Sequence, residues 1–137
     1  MSARKVSLGD VAPTKRFGCD IRALLTPARV GSTSGFLGTM SLAPGEIVAA
    51  HYHPYSDEFW FVAEGRLTVR IGGEELAAAQ GDALFVPRGT EHRIENTGER
   101  PALVVFQIAP LAPSPELGHV DVEPMPFPAA PPPSVGG

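Results

Sequence analysis

The sequence predicts an all-β, single-domain protein built as a double-sheet sandwich or barrel. Short segments of strand-forming residues follow one another between residues 36 and 108, and turn residues, mostly Gly or Pro, separate them. No window of the chain has a sustained helical period. The length of 137 residues suits one domain. Evenly spaced short strands with turns between them are typical of sandwiches and barrels.

Each predicted strand in this zone ends at a turn signal. Pro44-Gly45 follows the first strand, and Gly65 separates the third from the fourth. Gly72-Gly73 is expected to form a two-residue hairpin turn, because glycine tolerates positive φ. In order along the chain, the predicted strands are 36–42, 46–53, 58–63, 66–71, 75–79, 83–86, 91–96 and 102–108.

Composition divides the chain into three segments around this zone. Residues 1–35 are interpreted as N-terminal strands or an arm, and residues 36–109 as the barrel core. Residues 110–137 hold nine of the fifteen prolines and are interpreted as a C-terminal strap and tail. Proline cannot donate to a β-ladder, so the tail is expected to be an extended strap that becomes disordered at its end. The strap is a candidate to cover either the barrel mouth or a partner chain.

Charge and composition exclude several classes of protein. The net charge of −4 argues against a nucleic-acid partner, which attracts basic surfaces. No apolar run approaches the roughly 18 residues of a membrane span, and the N-terminus lacks the apolar stretch of a signal peptide. The single cysteine, Cys19, cannot form an internal disulfide. We therefore expect a cytoplasmic protein with no membrane partner.

Alternation along the strands places three histidines on apolar faces. In strand 46–53, His51 and His53 fall on the same face as Ile47, and in strand 91–96 His92 shares a face with Ile94. A histidine on the inner face of a barrel loses water from its ring nitrogens. Each of these rings is therefore expected to have a partner inside the barrel.

His51 and His53 are spaced for a shared ion. Alternate residues of a strand point the same way, with Cα atoms about 6.6 Å apart. Two imidazoles placed like this can converge on one metal through bonds of about 2.1 Å. The H-x-H pattern by itself is equally compatible with two unrelated histidines.

Two longer patterns contain these histidines. Residues 45–65 read G-x5-H-x-H-x4-E-x6-G, and residues 81–96 read G-x5-P-x-G-x2-H-x3-N. Both match the consensus motifs of the cupin superfamily at every signature position, and the chain resembles that superfamily over residues 36–108. The resemblance implies a cupin double-stranded β-helix, also called a jelly roll. The motif glycines Gly45, Gly65, Gly81 and Gly89 then look structural, at turns where a β-carbon would clash.

The cupin resemblance also implies a set of metal ligands. His51, His53, Glu58 and His92 occupy the ligand positions of the family pattern. Asp57 is a competing carboxylate, but Glu58 fits the motif. His119, beyond the last core strand, is a further candidate ligand or pocket residue; if it binds the ion, Glu58 becomes free to act as a base.

The flanking sequences resemble a narrower group. The stretches PGEIVAAHYHPYSDEFWFV and RPALVVFQIAPLAPSPELGHVD, with the Pro-rich end, are similar to the small cupin cyclases of aromatic (type II) polyketide pathways, including the tetracenomycin, curamycin and resistomycin types. This resemblance implies an enzyme that closes rings in a poly-β-keto chain, free or carried on an acyl carrier protein, in antibiotic biosynthesis. It implies one divalent metal per chain. Zinc is our first choice, followed by iron, nickel and manganese, because the reaction is not a redox reaction.

In this interpretation His51, Glu58 and His92 are the catalytic residues. The metal acts as a Lewis acid on a ketone or enol oxygen, and Glu58 or a metal-activated water removes a proton. The expected pocket is apolar, which suits a flat, keto-rich substrate. The candidate lining is Phe36, Met40, Ile47, Trp60, Val62, Ile94 and Phe106, and the alternative is that most of these side chains simply fill the barrel. Arg88 and Glu91 are candidates for its border, and the favoured interpretation of both is as solvated turn residues.

Two other functions fit the same residues. A histidine-rich site with iron, nickel or copper suits an oxygenase that acts on an aromatic intermediate. A non-catalytic binding module is the second alternative, because this fold hosts many functions. A homodimer formed through edge strands or swapped termini is also expected, because exposed sheet edges favour pairing.

Overall fold

Ten strands form two five-stranded sheets in the computed structural model, which describes residues 4–135. The outer ends of the two predicted terminal segments, residues 1–3 and 136–137, lie outside the described residues. The strands are β1 (Asp20–Leu25), β2 (Phe36–Leu42), β3 (Ile47–Tyr52), β4 (Asp57–Glu64), β5 (Arg66–Ile71), β6 (Glu74–Ala79), β7 (Ala83–Val86), β8 (His92–Glu95), β9 (Ala102–Ala109) and β10 (Val120–Asp121). A single turn of helix, α1 (Pro27–Val30), follows β1.

The two sheets pack face to face, as the all-β prediction requires. Sheet I has the order β1-β2-β9-β4-β7 and sheet II has the order β10-β3-β8-β5-β6, and every pairing is antiparallel. Each strand predicted between residues 36 and 108 is present, with ends within one residue of those predicted. The hairpin turn at Gly72-Gly73 is also confirmed, because Ile71 pairs with Glu74 across it.

The strand that carries His51 departs from simple alternation. Val48 pairs with Ile94 and His51 pairs with His92, so β3 contains a bulge between these two positions. A bulge reverses the faces of the residues beyond it. Val48 therefore shares the inner face with His51, and the prediction that Ile47 lies on that face was wrong.

In β4 the predicted alternation holds. Glu58 and Trp60 are buried between the sheets, and Phe59 and Phe61 face outward and are exposed. β4 pairs with β9 on one side and β7 on the other, so the backbone around Glu58 is held from both edges. A carboxylate on this strand is thus presented to the interior by a rigid element.

The motif residues outside the site have structural roles. The four motif glycines, Gly45, Gly65, Gly81 and Gly89, all have positive φ, but the predicted clash with a β-carbon is found only at Gly65. At Gly65 a β-carbon would lie 2.6 Å from the Pro101 carbonyl oxygen, so no larger residue fits there.

The motif asparagine, Asn96, is buried and donates hydrogen bonds to the carbonyls of Leu42 and Arg100.

The C-terminal strap folds back over one end of the sandwich. β10 adds to the edge of sheet II beside β3. Beyond β10, Arg16 donates to the carbonyls of Pro128 and Ala130, and the Thr14 hydroxyl donates to the carbonyl of Pro131. The strap is extended as predicted, and the N-terminal segment holds it: side chains bond as far as Pro131, and the backbone nitrogen of Ala28 donates to the carbonyl of Val135.

Two expectations about composition can be checked on the described residues. Cys19 is fully buried, and burial raises the pKa of its thiol, which fits a packing role. Within residues 4–135, no helix has the length and apolar character required to cross a membrane.

Candidate metal centre

Four predicted residues meet at one end of the sandwich. His51 lies near the end of β3 and His53 just beyond it, while His92 opens β8 in the same sheet. Glu58 lies at the start of β4 in the opposite sheet. One nitrogen from each imidazole and one carboxylate oxygen all lie within 4.8 Å of one another, and all four residues are buried. The candidate centre therefore joins the two sheets.

The hydrogen bonds of the three imidazoles define their tautomers. The Nδ1 atoms of His51, His53 and His92 lie 2.7–2.9 Å from the carbonyl oxygens of Ala49, Gly118 and Thr90, respectively. A carbonyl oxygen only accepts, so each Nδ1 must carry a hydrogen and donate it. Each neutral ring then has a bare lone pair on Nε2. This is the form in which histidine binds a metal.

Glu58 presents one oxygen to two of these nitrogens. Its Oε1 lies 3.1 Å from Nε2 of His53 and 3.1 Å from Nε2 of His92. None of the three atoms has a partner in hydrogen-bond geometry, although all are buried. The other carboxylate oxygen, Oε2, accepts a hydrogen bond of 2.8 Å from the indole Nε1 of Trp60.

The protonation of the group follows from its surroundings. Burial by itself raises the pKa of Glu58, but its contacts with His53 and His92 hold that pKa well below its usual range. Burial lowers the pKa of His51 strongly, and the neighbouring imidazoles lower it further. Burial also acts to lower the pKa of His53, but the Glu58 carboxylate outweighs it, so that pKa is raised. At neutral pH the group thus offers an anionic carboxylate and at least one neutral imidazole.

A divalent cation fits this donor set. Buried polar atoms without partners are costly, and three of them converge here on one point. Three imidazole nitrogens and one carboxylate oxygen are ligands that zinc and several other transition metals accept. The cation would satisfy Nε2 of His53, Nε2 of His92 and Oε1 of Glu58 at once. The buried group can therefore bind one metal ion.

The structure does not bring His119 into this group. Its ring stacks on His51, with centroids 4.4 Å apart, and its Nε2 lies 2.6 Å from Oδ1 of Asp121. Burial lowers the pKa of His119. Only its Nε2 is paired, and His119 is not among the four residues whose ligand atoms converge, so its assignment as a ligand stays a prediction, while its position at the pocket is established.

The competing carboxylate and the expected border residues lie elsewhere. Asp57 accepts a hydrogen bond from the backbone nitrogen of Arg88, outside the group. Neither Arg88 nor Glu91 lines the cavity and both are exposed, which agrees with the interpretation of them as solvated turn residues. Charged residues that do line it include Arg16, Glu116 and Asp121, which come from the N-terminal segment and the strap.

A cavity of about 690 Å³ opens above the group. Its volume lies in the range of small-molecule sites. Four of the predicted lining residues are confirmed: Phe36, Met40, Trp60 and Phe106. The other three, Ile47, Val62 and Ile94, do not line it, because Val62 and Ile94 are fully buried in the core and Ile47 packs against that core.

The sequence analysis did not identify several cavity residues that lie far from the two motifs along the chain. Phe17 lies against His119, with ring centroids 4.8 Å apart, and also near His51. The strap contributes Pro132, Pro133 and Val135 to the cavity wall. No signal in the sequence links these positions to the motifs. The Pro-rich strap was a candidate to cover the barrel mouth, but the sequence did not show which of its residues would form the wall.

Comparison with known sequences gives consistent matches. The family model for the Cupin domain (Cupin_2) matches residues 38–108. The chain is 60% identical over 136 residues to the tetracenomycin polyketide synthase protein TcmJ of Streptomyces glaucescens, covering 99% of this chain and 91% of that protein. It is 46% identical over 123 residues to the polyketide synthase CurC of Streptomyces cyaneus, covering 90% of this chain and 80% of that protein.

Solved structures share the fold. A predicted oxalate decarboxylase from Thermotoga maritima superimposes with a TM-score of 0.70 at 23% identity, covering 79% of this chain and all of that one. A double-stranded β-helix protein from Klebsiella pneumoniae superimposes with a TM-score of 0.71 at 21% identity, covering 89% of this chain and 99% of that one. At this identity the likeness shows the fold alone.

Proposed function

The chain belongs to the cupin family, and we propose that it is a metal-dependent cyclase that closes rings in an aromatic polyketide. Relatives that align with most of the chain, TcmJ and CurC, are named as polyketide synthase proteins, which supports a place in aromatic polyketide biosynthesis. The reaction itself is argued from the site. The substrate is a poly-β-keto chain, free or carried on an acyl carrier protein.

One observation carries this proposal. Glu58, His53 and His92 turn three partnerless buried atoms toward one point, at the base of a cavity with largely apolar walls. A purely structural cluster would be expected to satisfy its buried polar atoms within the protein. Ligand atoms that have no protein partner and face a cavity large enough for a small molecule are typical of a reactive centre.

The protein residues contribute binding, orientation and proton control. When bound, a divalent cation supplies Lewis acidity at a ketone or enol oxygen. Phe36, Met40 and Phe106 provide apolar walls that hold a folded chain and exclude water from the reacting carbons. Glu58 is the anionic group nearest the centre, and its Oε1 would hold the cation, whose acidity would make the proton between two carbonyls easier to lose.

Zinc is the metal we propose. Aldol-type closure followed by loss of water changes no oxidation state, so no redox-active ion is needed. Imidazole and carboxylate donors are those of zinc sites in which a position stays open for substrate. Metal analysis of protein purified without added metal tests this choice, and one zinc per chain is expected.

The activity can be tested by producing the chain together with a minimal aromatic polyketide synthase and comparing the polyketide products. Addition of the wild-type chain is expected to redirect the product pattern toward cyclised aromatic compounds. His51→Ala and Glu58→Gln are expected to abolish this effect. Arg66→Ala, an exposed change on the outer face of sheet II, is the matched control and should behave as the wild type.

Other outcomes would identify the rival functions. Unchanged products with a folded His51→Ala variant would mean that the chain is a binding module. Bound iron, nickel or copper together with substrate-dependent oxygen uptake would mean that it is an oxygenase. Either result rejects the cyclase.

We also propose that the chain forms a homodimer through the outer face of sheet I. Phe59, Phe61 and Phe85 are 46–49% exposed there, and Phe59 and Phe85 are register partners with ring centroids 5.1 Å apart. Leu37 and Val105 continue this face on β2 and β9. Thr39 falls on the same face of β2 but is only 6% exposed, so the open part of the face lies on β9, β4 and β7. Three strands and three rows of residues give about 300 Å² per copy, so a face-to-face pair would bury about 600 Å², the size of a weak interface.

Sedimentation equilibrium tests this interface. The wild type is expected to be a dimer, and the double variant Phe59→Ser, Phe61→Ser a folded monomer. Leu117→Ser, which removes an equally exposed apolar side chain on the strap, should remain dimeric. A monomeric wild type would reject the dimer, and a dimeric double variant would place the interface at edge strands or termini instead.

A further inference from the structure

Trp60 makes a specific contact with Glu58. Its indole Nε1 donates a hydrogen bond of 2.8 Å to Oε2 of that carboxylate, and the two side chains are only 3% and 4% exposed. An indole nitrogen can donate but never accept. Trp60 therefore engages one oxygen of Glu58 and leaves the other, Oε1, turned toward His53 and His92.

We propose that Trp60 is a positioning residue that restricts Glu58 to binding the metal through Oε1 alone. A carboxylate can bind an ion through one oxygen or through both. Here Oε2 is held by a buried donor, and turning it toward the ion would leave the indole N–H without a partner. The geometry thus selects the one-oxygen mode.

The fold holds the indole independently of the metal ligands. Trp60 lies two residues along β4 from Glu58, and its register partners are Phe106 on β9 and Leu84 on β7. Its ring also lies edge-on to His92, with centroids 5.6 Å apart. The donor is fixed by paired strands on both sides, so the restriction on Glu58 exists before any ion binds.

The restriction has a consequence for substrate access. Three Nε2 atoms and one Oε1 make four protein donors, whereas a carboxylate bound through both oxygens would make five. Each position that the protein leaves open is available to a substrate oxygen from the cavity. Trp60 thus acts through Glu58 to leave one more position on a bound ion available to a substrate oxygen.

This inference rests on the metal site proposed above, so the test begins with zinc titration of the wild-type protein. The test variant is Trp60→Phe, which keeps a buried aromatic ring and removes the N–H. We expect it to bind one Zn²⁺ per chain about tenfold more weakly. We also expect the visible absorption of its Co²⁺ form to weaken, as coordination number rises with both oxygens of Glu58 bound.

Val62→Ala is the matched control. Val62 follows Trp60 on the buried face of the same strand, and its truncation loosens packing without removing a donor. It is expected to keep the wild-type zinc affinity and Co²⁺ spectrum. A Trp60→Phe protein that matches the wild type in both, or a Val62→Ala protein that shows the same changes, would overturn the role of Trp60.

A measurement on the unaltered chain covers the case in which Trp60→Phe does not fold. Trp60 is the single tryptophan, so ¹⁵N labelling gives one indole N–H resonance to follow. That resonance should be slow to exchange with water before and after Zn²⁺ is added. Fast exchange in the zinc-loaded protein would overturn the inference while the metal site stands. A wild type that binds no Zn²⁺ or Co²⁺ would reject the metal site and the inference together.

Discussion

His51 and His92 lie directly opposite each other on antiparallel β3 and β8, with ring centroids 4.3 Å apart. The pairing exists because a bulge in β3 shifts its register by one residue just before His51. Sheet geometry, and not a flexible loop, therefore sets the distance between these two donors. A site built on paired strands is expected to be rigid and to bind metal without rearrangement.

Removal of a donor from this pair should weaken metal binding severely. We expect His92→Ala to raise the Kd for Zn²⁺ by more than about 100-fold, because loss of a supporting contact alone costs 10–100-fold. Competition with a chromophoric chelator measures the change. His119→Ala is the informative comparison, because the Nε2 of His119 is paired with Asp121. A similar loss in that variant would show that His119 is a ligand after all.

Metal affinity should increase with pH and then level off. Burial acts to lower the pKa of His53, but Glu58 and the Gly118 carbonyl raise it overall. A proton on Nε2 of His53 must leave before that nitrogen can bind an ion. Below this pKa the affinity is expected to rise about tenfold per pH unit, and above it the slope should vanish.

Calorimetric titrations with Zn²⁺ from about pH 5.5 to about pH 8, in buffers of different ionisation enthalpy, check this dependence. They should detect release of about one proton at the acidic end. The low pKa of Glu58 predicts no further proton from the carboxylate. An affinity that does not change with pH would contradict the assigned role of His53.

Metal removal should lower the thermal stability of the protein. A ligand that binds only the folded state at 100 times its Kd stabilises that state by about 2.7 kcal/mol. Treatment with a chelator is thus expected to lower the Tm by several degrees, and Zn²⁺ should restore it. The His92→Ala protein is the control and should show no such difference. An identical Tm for the wild type with and without chelator would argue against a resident ion.

Arg16 should control how firmly the strap closes the cavity. Its Nη1 donates to the carbonyls of Pro128 and Ala130, and prolines in this segment supply no backbone donors of their own. Arg16→Ala is expected to increase hydrogen exchange and proteolytic cleavage after residue 126, with a stability loss of about 1–2 kcal/mol. Arg66→Ala, which changes an exposed arginine on sheet II, should do neither. Equal protection of the strap in both variants would show that other contacts hold it.

Asn96 should be important for stability and irrelevant to metal binding. Its buried Nδ2 donates to the carbonyls of Leu42 and Arg100, and its Oδ1 accepts from the backbone nitrogen of Gly98. Asn96→Ala leaves buried backbone groups without partners, so we expect a loss of about 2–4 kcal/mol in urea unfolding. Thr97→Ala, at the exposed neighbouring position, should cost far less. A stable Asn96→Ala protein would contradict this reading of the motif.

The sequence predicted most of the strands, because period-two alternation and turn residues are local signals. It did not locate β1, whose sequence DIRALL alternates only over its first four residues, and it did not predict β10. It misplaced Ile47, because the bulge in β3 depends on pairing with β8. It also found the four residues of the candidate centre, through motifs whose spacings the two sheets bring together.

Spacing, alternation and turn chemistry were determined by the sequence alone, and they led to the sandwich and to the residues His51, His53, Glu58 and His92. The tertiary structure alone decided which ring nitrogen faces the centre, which oxygen of Glu58 is free, and that the strap forms a wall of the cavity. Contacts such as that between His53 and the carbonyl of Gly118, 65 residues away, decide these matters. Such a contact depends on how the chain closes on itself, and no local pattern encodes it.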